Sequence, residues 1–392
     1  MHRMRVAFDL RWVNRDPGGV TTYAVNLLKA LVQQNSHYAF LAIVNPGDQT
    51  LADRYLGEPI TGIDWLTVPG SPFSPWSHLV LPRLLKARGV ALFHSPNYLG
   101  PLLPGPVKIV VTVHDLMAYL FPQRCPEAKA VRWFGLFKLG LRQSLANADL
   151  ILADSANTAA DVRANFPSVS HRLKVVHPAL NPVFFVSQPA SEIERLTTQV
   201  CGAHCFLLYV GRRDPNKNLI PLIQAVGQLR KCGQEIDLVI VGRPDSRYPE
   251  PELVARRLGI AAHVHFTGFV ELPVLRALYR SARALVFPSS YEGFGLPPLE
   301  AMASGTPVVC SARASLPEVV GDVAVLVEPE DPGSIAAGIQ RVLYDNELRQ
   351  RLIEQGLRRA RLFSWAESAR KVLYIYEQTL LTQRPQHATP YA

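Results

Sequence analysis

Two glutamates, Glu292 and Glu300, stand out in the stretch PSSYEGFGLPPLEAMASGTPV, Pro288 to Val308, with seven residues between them. The apolar run that leads into the stretch predicts a buried strand. Proline is favoured at a first helical position, so a helix is predicted to begin at Leu296 or Pro297. The pattern is therefore strand, glycine-bearing loop and helix, with one carboxylate in the loop and one inside the helix.

This layout predicts a particular kind of ligand. The amides of a glycine-bearing loop and the N-terminus of a helix form a site for an anion such as a diphosphate. An ionised carboxylate only accepts hydrogen bonds, so Glu292 and Glu300 should face hydroxyl groups instead. A diphosphate between two hydroxyl-rich rings is a nucleotide sugar. Taken alone, either glutamate is better explained structurally, Glu300 as a first-turn residue that complements the helix dipole, and only the whole stretch favours the ligand.

A second strand, loop and helix unit carries cations. The predicted strand Phe206 to Val210 is followed by GRRDPNKN and by a helix from Leu219. Cations placed just after a strand, at the entry to a helix, would counter a diphosphate and the charge that develops on it. The loop offers two to three such cations, Arg212, Lys217 and Arg213, the last of which could share the role of Arg212.

The first half of the chain has two candidate features. Gly18 and Gly19 lie between a predicted strand, Arg5 to Leu10, and an amphipathic helix, although a glycine pair before a helix is usually only a turn. His114 directly follows the predicted strand Lys108 to Val113. Ligands of open α/β sheets bind at the carboxyl ends of strands, which places His114 where a functional residue would lie.

The stretch around Glu292 and Glu300 resembles the nucleotide-sugar site of retaining glycosyltransferases of family 4, the group 1 glycosyltransferases, and most resembles bacterial mannosyltransferases. The resemblance covers nearly the whole chain. It implies an α/β protein of the GT-B fold, with two Rossmann-like domains whose parallel sheets face across a cleft. The implied domains are residues 1–180 on the acceptor side, residues 196–362 for the nucleotide sugar, and a crossover helix at 363–382 that packs on the first domain.

The resemblance also implies a role for each candidate residue. Glu292 would contact the hydroxyls of the donor sugar, and Glu300 would contact the ribose. His114 would lie beside the reacting sugar, while Arg212 and Lys217 would stabilise the leaving diphosphate. The implied binding residues are Gly18 and Gly19 towards the diphosphate and acceptor, Gly268 and Val270 at the base, and Phe294, Gly295 and Leu296 at the distal phosphate. The family often has glycine after the lysine, where this chain has Asn218.

The implied function is transfer of a hexose, with retained configuration, to a glycan or a polyprenyl-diphosphate-linked acceptor in surface polysaccharide assembly, such as that of lipopolysaccharide. The best match for the donor is GDP-mannose, and UDP-glucose fits nearly as well. The chain has no Asp-x-Asp pair, so neither a metal nor another cofactor is expected. The alternative from another class is a catalytically silent GT-B protein that acts as a partner or regulator. No motif for nucleic-acid binding is present.

The composition of the chain restricts the class of protein and its cellular location. A chain of 392 residues with 48% hydrophobic and 19% charged residues is typical of a globular protein with two domains. Five cysteines at irregular spacing argue against a disulfide framework. No apolar run reaches the roughly 18 residues that span a bilayer, so the expected location is the cytoplasm, with the inner face of the cell membrane as the alternative.

Positive charge is concentrated in the first half, where residues 1–180 contain 18 Lys and Arg against 11 Asp and Glu. A helix is predicted over residues 126–147, PEAKAVRWFGLFKLGLRQSLAN, with large apolar groups among four cations. Such a helix could lie on an anionic membrane. It could equally be a core helix whose charges are solvated, and the sequence leaves both readings open.

Overall fold

The structure, a computed structural model, divides the chain into two units, each built on a parallel sheet. The first unit comprises the chain up to Leu116, then Trp133–Ala179, and the chain from Ser364 onward. The second unit comprises Met117–Arg132 and Leu180–Phe363. The residues that the structure describes are 3–13, 18–34, 37–48, 50, 62–103, 105–124, 129–202, 205–243, 245 and 247–382.

Within those residues the first unit contains a seven-stranded sheet of order β3-β2-β1-β4-β5-β6-β7, with every pairing parallel. Its strands are nearly continuous apolar runs, as expected where helices cover both faces of a parallel sheet. The strands are Met4–Asp9 (β1), Tyr38–Val44 (β2), Ile63–Thr67 (β3), Val90–Ser95 (β4), Lys108–Val113 (β5), Leu150–Ala153 (β6) and Leu173–Val175 (β7).

The described part of the second unit contains a six-stranded parallel sheet of order β10-β9-β8-β11-β12-β13. The strands are Phe206–Val210 (β8), Asp237–Val241 (β9), Val264–Gly268 (β10), Ala284–Phe287 (β11), Val308–Ser311 (β12) and Val325–Val327 (β13). The chain builds outward from β8 to β10 and then returns to the other side of β8 with β11. The strand order of this sheet therefore reverses between β8 and β11, and that of the first sheet reverses between β1 and β4.

Helices separate most successive strands, which gives the α/β alternation that the sequence predicts. The α-helices are Gly19–Gln33 (α1), Pro75–Ala87 (α2), Met117–Leu120 (α3), Lys129–Arg132 (α4), Phe134–Asn147 (α5), Ala156–Asn165 (α6), Ala190–Cys201 (α7), Leu219–Lys231 (α8), Glu250–Arg257 (α9), Leu272–Ser281 (α10), Leu296–Ala303 (α11), Leu316–Val320 (α12), Pro332–Tyr344 (α13), Asn346–Ala360 (α14) and Trp365–Leu381 (α15). Short 3-10 turns are Leu10–Trp12, Pro122–Arg124, Pro167–Arg172, Pro182–Phe185, Pro215–Lys217 and Ala261–His263.

The helix α15 packs on α1 inside the first unit. Its Tyr376 is fully buried, and the Tyr376 hydroxyl lies 2.6 Å from His94 Nδ1. The other ring nitrogen of His94 lies 2.9 Å from the hydroxyl oxygen of Thr112. Burial, with a smaller contribution from the nearby charge of His114, lowers the pKa of His94 to about 3. A neutral His94 therefore joins α15 to β5 through buried hydrogen bonds, which are costly to leave unmade.

Two predicted boundaries differ from the structure. The helix predicted over 126–147 is interrupted at Trp133, whose φ of −117° and ψ of 45° are not helical, and it forms α4 and α5. Its first residues, 126–128, lie outside the described part. Met117–Arg132 groups with the second unit rather than with the predicted domain of residues 1–180. The cause is packing, because the ring of Phe121 lies 5.4 Å from that of Tyr291 in an edge-on arrangement.

The second unit also begins earlier than the predicted residue 196. Pro182–Phe185 and the helix α7 already belong to it, and α7 packs on α10. Prolines at 178, 182 and 189 predict a linker over His177 to Ala190, and α7, which begins at Ala190, is not predicted. In the part of the chain that the structure describes, no helix combines the length and the apolar character needed to span a bilayer.

Candidate active site

The loop that follows β8 ends in a 3-10 turn, Pro215–Lys217, which leads into α8. Lys217 Nζ lies 2.6 Å from Glu292 Oε1, and each of the two side chains is 16% exposed. Glu292 lies in the loop after β11, the strand next to β8 in the sheet. The sheet order therefore brings together two candidate residues that are far apart in sequence.

The neighbouring arginines of the β8 loop have different environments. The side chain of Arg212 is 73% exposed, and its Nε lies 2.9 Å from Asp214 Oδ2. The side chain of Arg213 is only 2% exposed, forms an ion pair with Glu252 of α9, and lies with its guanidinium 4.7 Å from the ring centre of Phe266. Arg213 thus holds α9 against the sheet, which removes it as an alternative to Arg212.

Two asparagines tie the β8 loop to the β11 loop. Asn216 Nδ2 donates to the carbonyl of Tyr291 at 3.2 Å, and the Asn216 carbonyl accepts from the N–H of Ser290 at 2.8 Å. Asn218 Nδ2 donates to the carbonyl of Pro288 at 2.9 Å. Asn218 has φ of 53°, a left-handed conformation that glycine and asparagine adopt most readily. The backbone therefore explains both the glycine of the resembling family and the asparagine of this chain.

A buried serine, Ser315, holds the backbone of the Glu292 loop through hydrogen bonds. The hydroxyl of Ser315 lies 2.6 Å from the carbonyl oxygen of Phe294 and 2.9 Å from that of Glu292. Gly295 has φ of 120°, and a Cβ on it would lie 2.7 Å from Leu316 Cδ2. Glycine is thus favoured here by the backbone conformation and by the contact with Leu316, independently of any ligand.

The helix α11 starts beside this loop with Leu296 as its first residue. Pro297 and Pro298 have no N–H, so the amide of Leu296 is the one that the first turn can offer to an anion. The positive end of the helix dipole lies at the same place. Of the predicted phosphate contacts, Leu296 therefore fits best, while Phe294 and Gly295 shape the loop that precedes it.

Glu300 lies further along α11 and is part-buried. The hydroxyl of Tyr279 donates to Glu300 Oε2 at 2.8 Å. Burial raises the pKa of Glu300 to about 7, and the hydrogen bond from Tyr279 opposes that rise. Near neutral pH this carboxyl group is therefore divided between a protonated form and a carboxylate that accepts hydrogen bonds.

In the first unit, His114 follows β5 and both of its ring nitrogens are engaged. Nδ1 lies 2.7 Å from Asp154 Oδ2, and Nε2 lies 2.9 Å from the carbonyl oxygen of Pro96. Burial would lower the pKa of His114, but the charge and hydrogen bond of Asp154, the carbonyl of Pro96 and the charge of Asp115 together raise it. Both partners accept hydrogen bonds, so this pairing favours donation from both nitrogens and therefore the imidazolium form of His114.

Gly18 and Gly19 lie at the N-terminus of α1, with Gly18 as the N-cap residue. A Cβ built on either would meet no atom within 4 Å. Neither has a left-handed φ, so nothing in the described chain requires glycine at these positions. Open space above a helix N-terminus is what a bound ligand would need. The predicted loop before them continues through residues 14–17, which lie outside the described part.

Gly268 and Val270 lie at the carboxyl end of the edge strand β10. Gly268 has φ of 72°, and its carbonyl accepts from the N–H of Gly242 at 3.0 Å. Phe269 between them is 53% exposed, and the guanidinium of Arg243 lies 5.5 Å from its ring centre. Sequence reasoning did not single out Phe269, although an exposed aromatic ring beside an arginine is a suitable surface for a flat heterocycle.

The candidates gather at the carboxyl ends of the two sheets. The second unit holds Lys217 and Glu292 where the strand order reverses between β8 and β11, which is where open α/β sheets bind ligands. Gly18 and Gly19 follow β1, which borders the reversal in the first sheet. The missed residues Asn216 and Ser315 position the loops through buried hydrogen bonds, and a single sequence gives no sign of such pairings.

Two family models match the chain. The first, described as "Glycosyl transferases group 1", matches residues 203–359. The second, described as "Glycosyltransferase Family 4", matches residues 17–184. Together the two matches include every candidate residue named above.

Relatives and solved structures agree with these matches. The chain is 31% identical to O-antigen chain mannosyltransferase B of Escherichia coli over 73% of its own length and 74% of that protein. It is 32% identical to MMP alpha-(1->4)-mannosyltransferase of Mycolicibacterium hassiacum over 64% of this chain and 58% of that one. The crystal structure of Anabaena Alr3699/HepE in complex with UDP and glucose has a TM-score of 0.74 at 19% identity, covering 96% and 100% of the two chains. At that identity the match shows a common fold.

Proposed function

The chain is a glycosyltransferase and belongs to family 4, with the GT-B fold, and we propose that it transfers mannose from GDP-mannose to a glycan or lipid-linked acceptor. The proposed setting is surface polysaccharide assembly. The choice of mannose is supported by the mannosyltransferase relatives. The choice of a guanine nucleotide is supported by the resemblance to bacterial mannosyltransferases.

The observation that carries the proposal is the Lys217–Glu292 ion pair beside the first turn of α11. A diphosphate needs a cation and helix amides, while a hexose needs a hydrogen-bond acceptor for its hydroxyls. Lys217, the Leu296 amide and Glu292 supply these groups from two adjacent loops. We infer that donor binding exchanges the ion pair, so that Lys217 turns to the phosphate and Glu292 accepts from the sugar.

The proposed reaction breaks the bond between the anomeric carbon and the oxygen of the distal phosphate. The acceptor oxygen attacks on the face that the diphosphate leaves, and its proton passes to the departing phosphate oxygen. Negative charge grows on the leaving group, where Lys217, the more exposed Arg212 and the N-terminus of α11 would stabilise it. In this proposal these fixed positive charges take the place of a metal ion.

The proposed role of His114 follows from its engaged nitrogens. Since Asp154 and Pro96 already occupy both N–H groups, His114 has no free donor for a sugar hydroxyl. It would act through the positive charge that it places at the carboxyl end of β5. Asp154 would then be a positioning residue that keeps the imidazole charged.

A UDP-linked hexose is the second candidate donor, because a protein of the same fold has been solved with UDP and glucose. The two donors differ in the base, which the Gly268 to Val270 segment is proposed to meet. Binding measurements with GDP and with UDP distinguish the two donors.

The test is a thermal-shift panel with GDP, GDP-mannose, UDP and UDP-glucose, each with Mg²⁺ and with a chelator. A ligand that binds the native state raises the melting temperature as its concentration exceeds the dissociation constant. We expect shifts with GDP and GDP-mannose that are equal under both metal conditions. Shifts with UDP compounds alone would identify a UDP sugar as the donor in place of GDP-mannose. Loss of the shift in the presence of chelator would overturn the metal-free proposal. Lys217→Ala should lose the shift, whereas the exposed-surface variant Arg351→Glu should keep it.

A further inference from the structure

One face of α5 leaves large apolar side chains in solvent. Trp133, the residue before its first turn, is 69% exposed, Leu136 is 65% exposed and Leu139 is 64% exposed. Isolated exposed apolar residues are ordinary in folded proteins. Three within seven residues on one side of a helix form a patch, which marks a surface that contacts something else.

Cations border this patch. Lys138 and Arg142 are also exposed, and the helical turn of about 100° per residue places them on the flank next to Leu139. The ammonium of Lys138 lies 4.5 Å from the ring centre of Phe134, which holds that charge at the surface. From Lys129 to Asn147 the sequence contains neither Asp nor Glu. The exposed face is therefore apolar on one side and purely cationic on the other.

The opposite face of α5 is firmly packed in the first unit. Leu141 and Leu145 are buried, and the ring of Phe137 lies 5.6 Å from that of Tyr98 in an edge-on arrangement. The hydroxyl of Ser144 donates to the carbonyl of Tyr98 at 2.7 Å. The exposed face therefore belongs to a helix whose other face is fixed in the core, so its apolar residues stay in contact with solvent.

We propose that Trp133, Leu136, Lys138, Leu139 and Arg142, named here the α5 surface, dock the protein on an anionic membrane. An interfacial helix inserts apolar side chains at the boundary between headgroups and acyl chains, while flanking Lys and Arg bind anionic headgroups. A tryptophan at one end is suited to the interface itself. A second copy of the same surface would oppose like charges, which disfavours self-association through this face.

This inference deepens the proposed function, because a protein held at a membrane meets acceptors that are linked to lipid. Membrane docking and the proposed glycosyl transfer can each be refuted without refuting the other. Membrane docking needs no nucleotide sugar, and nucleotide binding is measured in the absence of lipid.

The test is co-sedimentation of the full chain with vesicles of phosphatidylcholine alone or mixed with phosphatidylglycerol, at low and high salt. We expect binding to the anionic vesicles, weakened by salt because of screening. Lys138→Glu/Arg142→Glu should weaken the partition coefficient by about fivefold or more for each cation lost. Leu136→Ser/Leu139→Ser should weaken it by about tenfold or more. Arg351→Glu/Arg358→Glu, which changes the same charge on exposed positions of α14, should bind as the unaltered chain does.

The thermal shift with nucleotide shows whether each variant is folded, and it should be unchanged in all of them. The proposal is overturned if the unaltered chain does not sediment with anionic vesicles, or if both α5 variants bind as well as it does. It is also overturned if light scattering shows that the unaltered chain is a dimer and the folded α5 variants are monomers, since the occupant would then be a second copy.

Discussion

Lys217 Nζ lies 2.6 Å from Glu292 Oε1, so the cation and the carboxylate proposed to hold opposite ends of the donor satisfy each other in the free protein. Both side chains are mostly buried, and removing either leaves a charge without its partner in a poorly solvated place. The pair is also held by its loops, because Asn216 and Ser315 fix the backbone on both sides. Binding should therefore exchange partners with little movement of the backbone.

The first prediction concerns this pair. Lys217→Ala should lower kcat by about 10²-fold or more, since one preorganised charge at the leaving group is worth that much. Glu292→Gln should also lower the rate, because the amide still meets hydroxyls but no longer balances Lys217. The double variant should lose less than the product of the two single losses, since the partners act together. Rates are measured as nucleotide released with acceptor, and strictly multiplicative losses would contradict the coupling.

The second prediction separates two adjacent arginines. Arg213→Ala should destabilise the protein by about 1–3 kcal/mol, because it removes a buried side chain that pairs with the half-buried Glu252 and packs on Phe266. Arg212→Ala should leave the melting temperature nearly unchanged, because an exposed ion pair contributes little. Arg212→Ala should instead weaken the binding of the nucleotide sugar. Chemical denaturation and nucleotide titration on both variants measure the contrast, and the reverse order would refute the assignment.

The third prediction uses two glycines with opposite requirements. Gly19→Ala should leave the free energy of unfolding almost unchanged, because a Cβ there meets no atom of the protein within 4 Å. If a ligand fills that space, turnover should fall by about tenfold or more, because a Cβ on residue 19 would keep the ligand away from the backbone. Gly295→Ala should destabilise the fold, since its Cβ would approach Leu316 to 2.7 Å at a left-handed φ. Full activity in Gly19→Ala would remove Gly19 from the site.

The fourth prediction is a pH dependence from Glu300. Burial raises its pKa to about 7, so the folded state binds the proton more tightly than the unfolded chain does. The contribution of Glu300 to the free energy of unfolding is fully present below the ordinary glutamate pKa. This contribution is lost as the pH rises through about 7. The stability of Glu300→Gln relative to the parent should therefore increase between pH 5 and pH 8. Tyr279→Phe, which removes the hydrogen bond that opposes the rise, should move this window to higher pH.

Ribose binding adds a second readout for Glu300. Only the carboxylate accepts hydrogen bonds with both oxygens, so nucleotide affinity should rise with pH across the same window in the parent protein. In Glu300→Gln that slope should disappear. A slope that persists unchanged in this variant would show that another group titrates.

The fifth prediction concerns His114. Its raised pKa means that stability from its charge is complete below the ordinary histidine pKa and is lost as pH rises through the folded value. Asp154→Asn removes the anion and should lower the pKa of His114, so the ring titrates at lower pH. Imidazole resonances in NMR report this directly. The alkaline limb of the rate profile should shift in the same direction if the charge of His114 assists transfer, and stay in place if His114 is only structural.

Much of the fold is predictable here because parallel sheets are built from local signals. Short apolar runs bounded by turn residues predict buried strands, and Lys108–Val113 and Phe206–Val210 are confirmed with identical bounds. The strand predicted over Arg5 to Leu10 lies one residue earlier, at Met4–Asp9. The start of α11 is confirmed too, because proline at a first turn is a strong local signal. The family resemblance is confirmed by both family models.

What the sequence does not reveal is set by partners distant in the chain. Arg212 and Arg213 look alike in the sequence, and only Glu252 and Phe266 distinguish them. The helix predicted over 126–147 breaks at Trp133, although the sequence there contains no proline. Ser315 fixes the Glu292 loop from a separate segment, and a lone serine carries no sign of that contact. In each case tertiary packing decides, and local propensity contains no information about it.

The placement of α15 has a consequence for the order in which the protein can be made. Tyr376 completes the buried hydrogen bonds of His94 and belongs to the first unit. A ribosome synthesises this helix only after all of Leu180–Phe363. All residues of the second unit are therefore synthesised before the first unit, although begun earlier, has the last of its described helices. During that interval the α1 surface that α15 will cover is open to solvent, and it is where a chaperone would find apolar chain to hold.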